Sequence, residues 1–246
     1  MKSKLKVGID INEILRAKWL QFDRYYVEEF GEDGVPKDKP YSYNYFETYE
    51  WKNTIKVIKE LKEPGEMPEN INPIDYQIDD SGNALADNFL FKVPEKIELT
   101  PKEVYNTFIY EDYCFEIHGS APIMYKNMDV DVDKFYMKYK DTVDFILMSK
   151  ENRFSIPPTL FFLSKMNSRF NNIMFFDDEK DMWKSCDILI TTNPDLLNSV
   201  PFGKMCIKVN RPYNESINNK LITILQLVEL IDNKLFEKII KYKKIK

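Results

Sequence analysis

The sequence is poor in the residues from which several kinds of site are built. It holds one histidine, His118, which rules out a histidine-based metal cluster. It holds three cysteines, Cys114, Cys186 and Cys206, at no metal-site or redox spacing. An odd, sparse count suits a reducing compartment, where thiols pack as small apolar groups. No run approaches the roughly 20 apolar residues of a membrane helix. Residues 1–20 lack the long apolar stretch of a signal peptide. The expectation is therefore a soluble, cytoplasmic protein, or one assembled inside a cell, with no membrane association. A basic excess is missing as well. Lys and Arg number 35 against 40 Asp and Glu, a net charge of −5, so no electrostatic footprint points to nucleic acid. The one basic run, Lys241–Lys246, follows Asp232 and Glu237 and reads as a solvated helix end. The acidic stretch Asp129–Asp133 lacks the central glycine and closing glutamate of a calcium loop, and reads as a solvated turn.

What the chain does have is aromatic and apolar surface to bury. Hydrophobic residues make up 43% of 246 positions, enough for one large domain or a core with one sizeable insertion. Heavy use of Lys, Asn and Ile is a compositional bias of an AT-rich genome, such as a low-GC bacterium or a virus. No internal repeat is visible.

Val7-Gly8-Ile9 is a short apolar run that ends in Asp10. A carboxylate at the carboxyl end of a buried strand sits where open α/β sheets bind ligands. Spacings of three and four predict a helix over Ile14–Phe30, stopped by Gly31. Further on, a short helix is expected over Trp51–Leu61, then a long loop or arm to about residue 83, then a strand through Phe89, Phe91 and Val93. Thr100-Pro101-Lys102-Glu103 is a helix start with a capping box. Beyond it, a helix is expected over Asp131–Tyr139, a strand over 143–149 and a helix over Pro157–Met166. Strands follow at Asn172–Phe176, Asp187–Thr191 and Lys204–Val209, and a closing helix over 216–240. Short apolar strands alternating with helices mean an α/β fold with a doubly wound parallel sheet. The core is assigned to 1–30 and 141–246, and a large irregular insertion, cap or arm, to 31–140. The aromatic stretch Tyr41, Tyr43, Tyr45, Phe46 and Trp51 divides between packing within that insertion, a protein interface and ligand stacking. His118, in HGSAP, reads as a satisfied loop histidine.

Four pieces, in order, resemble the haloacid dehalogenase (HAD) superfamily of phosphatases. They are VGIDINEILR with Asp10, FILMS with Ser149, a lysine at Lys180 or Lys184, and DILITTNPDLL. The stretch Phe175–Asn214 is most similar to the 5′-(deoxy)nucleotidase branch. The resemblance covers residues 5–30 and 143–214, with the insertion in the place of that family's cap. It implies that Asp10 attacks phosphorus and that the residue two positions on moves a proton. Ser149 and a lysine would hold the phosphoryl oxygens, and late acidic residues with Asp10 would bind Mg²⁺.

The sequence departs from this pattern twice. The proton-transfer position is Asn12, whose amide is neither acid nor base. The expected late acidic pair reads Thr191-Thr192. Asp177 and Asp178, in FFDDEKD, offer an alternative metal pair if NIMFF is the fourth core strand, with Lys165 as the phosphate-binding lysine. The expectation is an impaired HAD-like protein, without a cofactor. It would serve as a structural or assembly subunit of a larger complex, a viral (phage) particle among them, meeting protein partners or its own copies through 31–100. The other expectation is a working Mg²⁺-dependent phosphatase or nucleotidase with Asp10 as nucleophile. A third is a phosphate or nucleotide sensor that binds without hydrolysis.

Overall fold

The computed structural model describes residues 4–35, 42–58, 77–78, 84–85, 95–217, 221–232 and 234–245. In chain order the elements are β1 (Leu5–Asp10), α1 (Lys18–Phe30), α2 (Tyr45–Thr48), β2 (Thr54–Ile58), β3 (Gln77–Ile78), β4 (Ala84–Leu85) and β5 (Glu95–Leu99). Then come α3 (Pro101–Thr107), α4 (Cys114–His118), α5 (Met128–Tyr139), β6 (Val143–Lys150), α6 (Ile156–Lys165), β7 (Ile173–Phe176) and α7 (Met182–Ser185). The chain closes with β8 (Ile188–Thr191), α8 (Pro194–Asn198), β9 (Met205–Val209), β10 (Ile222–Ile224), α9 (Glu229–Asp232) and α10 (Leu235–Ile245).

Two compact units emerge: residues 1–51 with 105–246, and residues 52–104. This division differs from the one drawn on the sequence, because 31–51 and 105–140 group with the core. Within the smaller unit β2 pairs antiparallel with β5, and β3 with β4. The helix expected over Trp51–Leu61 is instead a strand over Thr54–Ile58, with 59–61 outside the described residues. The β-branched Thr54, Ile55, Val57 and Ile58 favour the extended state once Glu95–Leu99 offers a pairing edge. The capping box is formed: Glu103 Oε2 accepts from Thr100 N at 2.8 Å, and Thr100 Oγ1 accepts from Glu103 N at 3.4 Å. The strand expected through Phe89–Val93 lies outside the described residues.

The larger unit is built on a six-stranded, all-parallel sheet in the order β10-β9-β8-β1-β6-β7. Alternate residues of each strand feed two separate cores. Val7, Ile9, Phe145, Leu147, Ile188 and Ile190 pack on one face with residues of α5, α6 and α10. Ile146, Met148, Leu189 and Cys206 pack on the other with Met182 and Trp183 of α7 and Leu196 and Leu197 of α8. Helices therefore flank both faces, as in a doubly wound sheet. Gly8 lies on this second face. A Cβ there would sit 2.7 Å from Met148 Sδ and 3.0 Å from a Leu189 methyl, so the neighbouring strands close over a missing side chain.

Two expected helices come out differently. The first begins at Lys18 rather than Ile14. Glu13 takes a left-handed φ of 58°, and the Asn12 amide N–H turns back to the Asp10 carboxylate at 3.2 Å. Local side-chain bonding thus wins over helix there. The closing helix over 216–240 is broken up. Ile222–Ile224 pairs parallel with Ile207–Val209 as an edge strand, and among the described residues of this range only Glu229–Asp232 and Leu235–Ile245 are helical. The Glu229 carboxylate accepts from Leu225 N and Gln226 N at 2.8 and 2.9 Å, and so starts the helical turn after the strand. The acidic run at Asp129–Asp133 lies in the first turns of α5, where carboxylates meet the positive end of the helix dipole. No helix among the described residues is long and apolar enough to cross a membrane.

Candidate functional site

β1 lies between β6 and β8, so the carboxyl ends of these three strands bring together Asp10, Ser149 and Thr191. Asn12 follows in the turn after β1. All four side chains are buried or nearly so.

The Asp10 carboxylate is bonded on both oxygens. Oδ2 accepts from the Thr191 hydroxyl at 2.9 Å, and Oδ1 from the Asn12 backbone at 3.2 Å. Burial is the largest influence on its acidity, and the Glu179 and Glu151 carboxylates act in the same sense. Against the two hydrogen bonds, they push its pKa up to about 7. The Thr191 hydroxyl also accepts from Asn193 N at 3.1 Å, so its donor and an acceptor are both in use.

The Asn12 amide is held at both ends. Its Nδ2 donates to Ser149 Oγ at 3.0 Å, and its Oδ1 accepts from Arg16 Nε at 3.1 Å and Nη2 at 2.5 Å. Ser149 in turn donates to Glu151 Oε1 at 2.9 Å. Behind these residues lies a buried ion pair: Arg16 Nη2 is 2.6 Å from Glu151 Oε1, with side chains 0% and 1% exposed. Arg16 Nη1 donates to the His118 carbonyl at 2.6 Å and to Thr159 Oγ1 at 2.7 Å, which accounts for every guanidinium N–H. Glu151 further accepts from Thr159 Oγ1 at 3.0 Å and Ser155 Oγ at 2.6 Å. Burial alone would raise the Glu151 pKa. The Arg16 charge and His118 overcome this and hold the carboxyl well below the usual range. His118 is buried, with Nδ1 3.3 Å from Glu151 Oε2 but outside hydrogen-bonding angles. Burial and the Lys18 charge hold its pKa down to about 3, so the ring is neutral.

A second set of contacts fixes the turn from outside. Glu13 Oε1 accepts from Trp19 N and Tyr45 OH, both at 2.9 Å, while its carbonyl takes Arg211 Nη2 at 2.7 Å. Tyr45 stacks on Trp19 with centroids 3.9 Å apart. Phe46 meets Tyr105 at 5.5 Å and Trp51 meets Phe108 at 5.7 Å. Tyr43 lies 5.6 Å from Tyr213. The aromatic stretch considered as an interface is thus engaged inside the larger unit; Tyr41 lies outside the described residues.

None of the remaining sequence candidates is hydrogen-bonded to Asp10, Asn12, Ser149 or Thr191, although the charge of Glu179, between Asp178 and Lys180, acts on Asp10. Lys180 is exposed, and its backbone N–H caps on Asp178 Oδ1 at 2.9 Å. Lys184 pairs with Asp181 at 2.5 Å, and Lys165 is exposed at the end of α6. Asp177 and Asp178 follow the edge strand β7, with β6 intervening between them and β1, and both are exposed. The Asp10 carboxylate is thus bonded to the Thr191 hydroxyl and the Asn12 backbone, while the Asn12 and Ser149 side chains bond each other and lead to Glu151. Mg²⁺ takes one or two carboxylates and keeps several waters; here both Asp10 oxygens already accept hydrogen bonds from Thr191 and Asn12. Among the described residues, no three His, Cys, Asp or Glu side chains are grouped to hold a metal.

Sequence reasoning missed Arg16, Glu151 and Thr159, and placed His118 in a loop. The signals were present but faint: a charged residue in the apolar run INEILRAKWL, four positions after Asn12, and Glu151 two positions after Ser149. Comparison of the sequence with known protein families finds no matching family model, and comparison with curated proteins finds no significant match.

Proposed function

We propose that the protein is a HAD-like chain whose phosphatase site has become an internal hydrogen-bonded network, and that it acts by binding, as a subunit of a larger assembly. The observation that carries this reading is the state of Asn12. Its oxygen takes two bonds from Arg16 and its nitrogen gives one to Ser149, so the residue in the proton-transfer position is occupied by the protein itself. The same holds for Ser149, whose proton goes to Glu151, and for Thr191, whose proton goes to Asp10. A phosphoryl group would have to displace three buried bonds to meet these side chains, and buried groups left unpaired are costly.

A binding role draws support from the surface. Phe115, Phe154, Leu160 and Phe161 are exposed around α4 and α6, and the Phe115 and Phe161 rings stand 4.9 Å apart. Grouped exposed apolar side chains of this kind mark interaction sites on soluble proteins.

Thermal melting with Mg²⁺ and orthovanadate tests the first half of the reading. A working site binds these in its folded state and is stabilised by mass action. The expected result is no shift that depends on Asp10. A Mg²⁺-dependent rise in Tm that disappears in Asp10→Asn overturns the proposal in favour of a phosphatase.

A further inference from the structure

The amino ends of β1, β6 and β7 frame a cleft of about 480 Å³ at the opposite edge of the sheet from Asp10. Six strand residues separate the two ends of β1, roughly 20 Å at the usual rise per residue. The cleft is lined by Lys4, Lys6, Lys140 and Lys184, which come from three separate stretches of chain, with Tyr136 and Phe145 among its apolar walls. In a chain of net charge −5 this is a local excess of positive charge. Among the described residues Asp144 is the one acidic lining residue, 4.0 Å from Lys4. Lys184 is neutralised in part by Asp181 at 2.5 Å. Lys6 and Lys140 have no carboxylate within ion-pair distance among the described residues. Asp187, the other acid nearby, takes the Lys6 backbone N–H at 2.9 Å.

We propose that this cleft binds a small molecule carrying a di- or triphosphate. Its volume lies within the range of small-molecule sites, roughly 300–1,000 Å³. With Lys4 and Lys184 partly offset by Asp144 and Asp181, Lys6 and Lys140 leave a local positive excess that suits a polyphosphate. Lysine serves such groups as a mobile point charge. The half-buried Tyr136 supplies ring surface on which the uncharged part of the molecule rests.

Calorimetric titration of the full chain with sodium tripolyphosphate and with metal-free ATP, at 50 and 200 mM salt, tests this. The proposal expects one site per chain, weaker at the higher salt as the Debye length shortens. Lys6→Gln/Lys140→Gln should weaken it at least about tenfold, the scale expected for losing two charge-assisted contacts. Because neither ammonium carries an ion pair, this variant should keep the wild-type melting curve. Asp10→Asn should leave the affinity unchanged, which separates this cleft from the opposite edge of the sheet. Tighter binding of ATP than of tripolyphosphate identifies a nucleotide-like ligand, and equal binding assigns the site to the phosphates; both support the proposal. No saturable heat at millimolar ligand, or an affinity that the lysine variant leaves intact, overturns it.

Discussion

Asn12 and Arg16 set the character of the buried centre. An aspartate at position 12 would bring a second carboxylate beside Asp10, and like charges in one buried site cannot both ionise cheaply. The amide avoids this and gives Arg16 an acceptor. Arg16 then depends on Glu151, and each without the other is a buried uncompensated charge. Arg16→Met is expected to destabilise the fold by about 3–5 kcal/mol, and Arg16→Met/Glu151→Met by less than the sum of the two single changes. Urea unfolding of the three variants measures this. Asp10 behaves in the opposite sense. Its folded pKa of about 7 exceeds the ordinary 3.8, so between those values the folded chain holds a proton that the unfolded chain has released. Stability is lost as pH rises through that window. Asp10→Asn removes the penalty and should be the more stable form above pH 7, by up to about 4 kcal/mol, with the gap closing towards pH 4. His118 runs the other way: its folded pKa of about 3 lies below the ordinary 6.5, so stability falls as pH drops from 6.5 towards 3. His118→Gln should lack that part of the acid slope in melts taken across the same range.

At the scale of elements, the strands carry the design. β1, β6, β7, β8 and β9 were legible because each is a short apolar run bounded by polar residues, the signature of a strand buried on both faces. β10 was not. Leu221, Ile224, Leu225 and Val228 keep a helical period, and only the open edge of β9 draws Ile222–Ile224 into the sheet. The start of α1 was missed because Glu13 adopts a left-handed turn that no hydrophobic pattern encodes. Asp10 and Ser149 were legible as strand ends. The Arg16–Glu151 pair was not, since it joins residues 135 positions apart in the chain. Close approach between strands also has a measurable signature. Gly8→Ala drives a methyl against Met148 and Leu189. Overpacking of this kind costs about 1–3 kcal/mol, to be read from the denaturation midpoint.

At the scale of the whole molecule, the two edges of the sheet differ in chemistry. The carboxyl edge holds Asp10, Asn12, Ser149 and Thr191 in mutual bonds, while the amino edge opens a lysine-lined cleft. The exposed aromatic group on α4 and α6 belongs to neither. Phe161→Ser, with Leu160→Ser, should leave the melting temperature within about 1 °C, since both side chains are exposed and support no core. The central claim concerns the carboxyl edge, and phosphate release addresses it most directly. The substrates are a panel of nucleotides and an aryl phosphate, with Mg²⁺, with chelator, and with Asp10→Asn in parallel. The account expects wild-type chain to release no more phosphate than the variant under any condition. Release that requires both Mg²⁺ and Asp10 would contradict it.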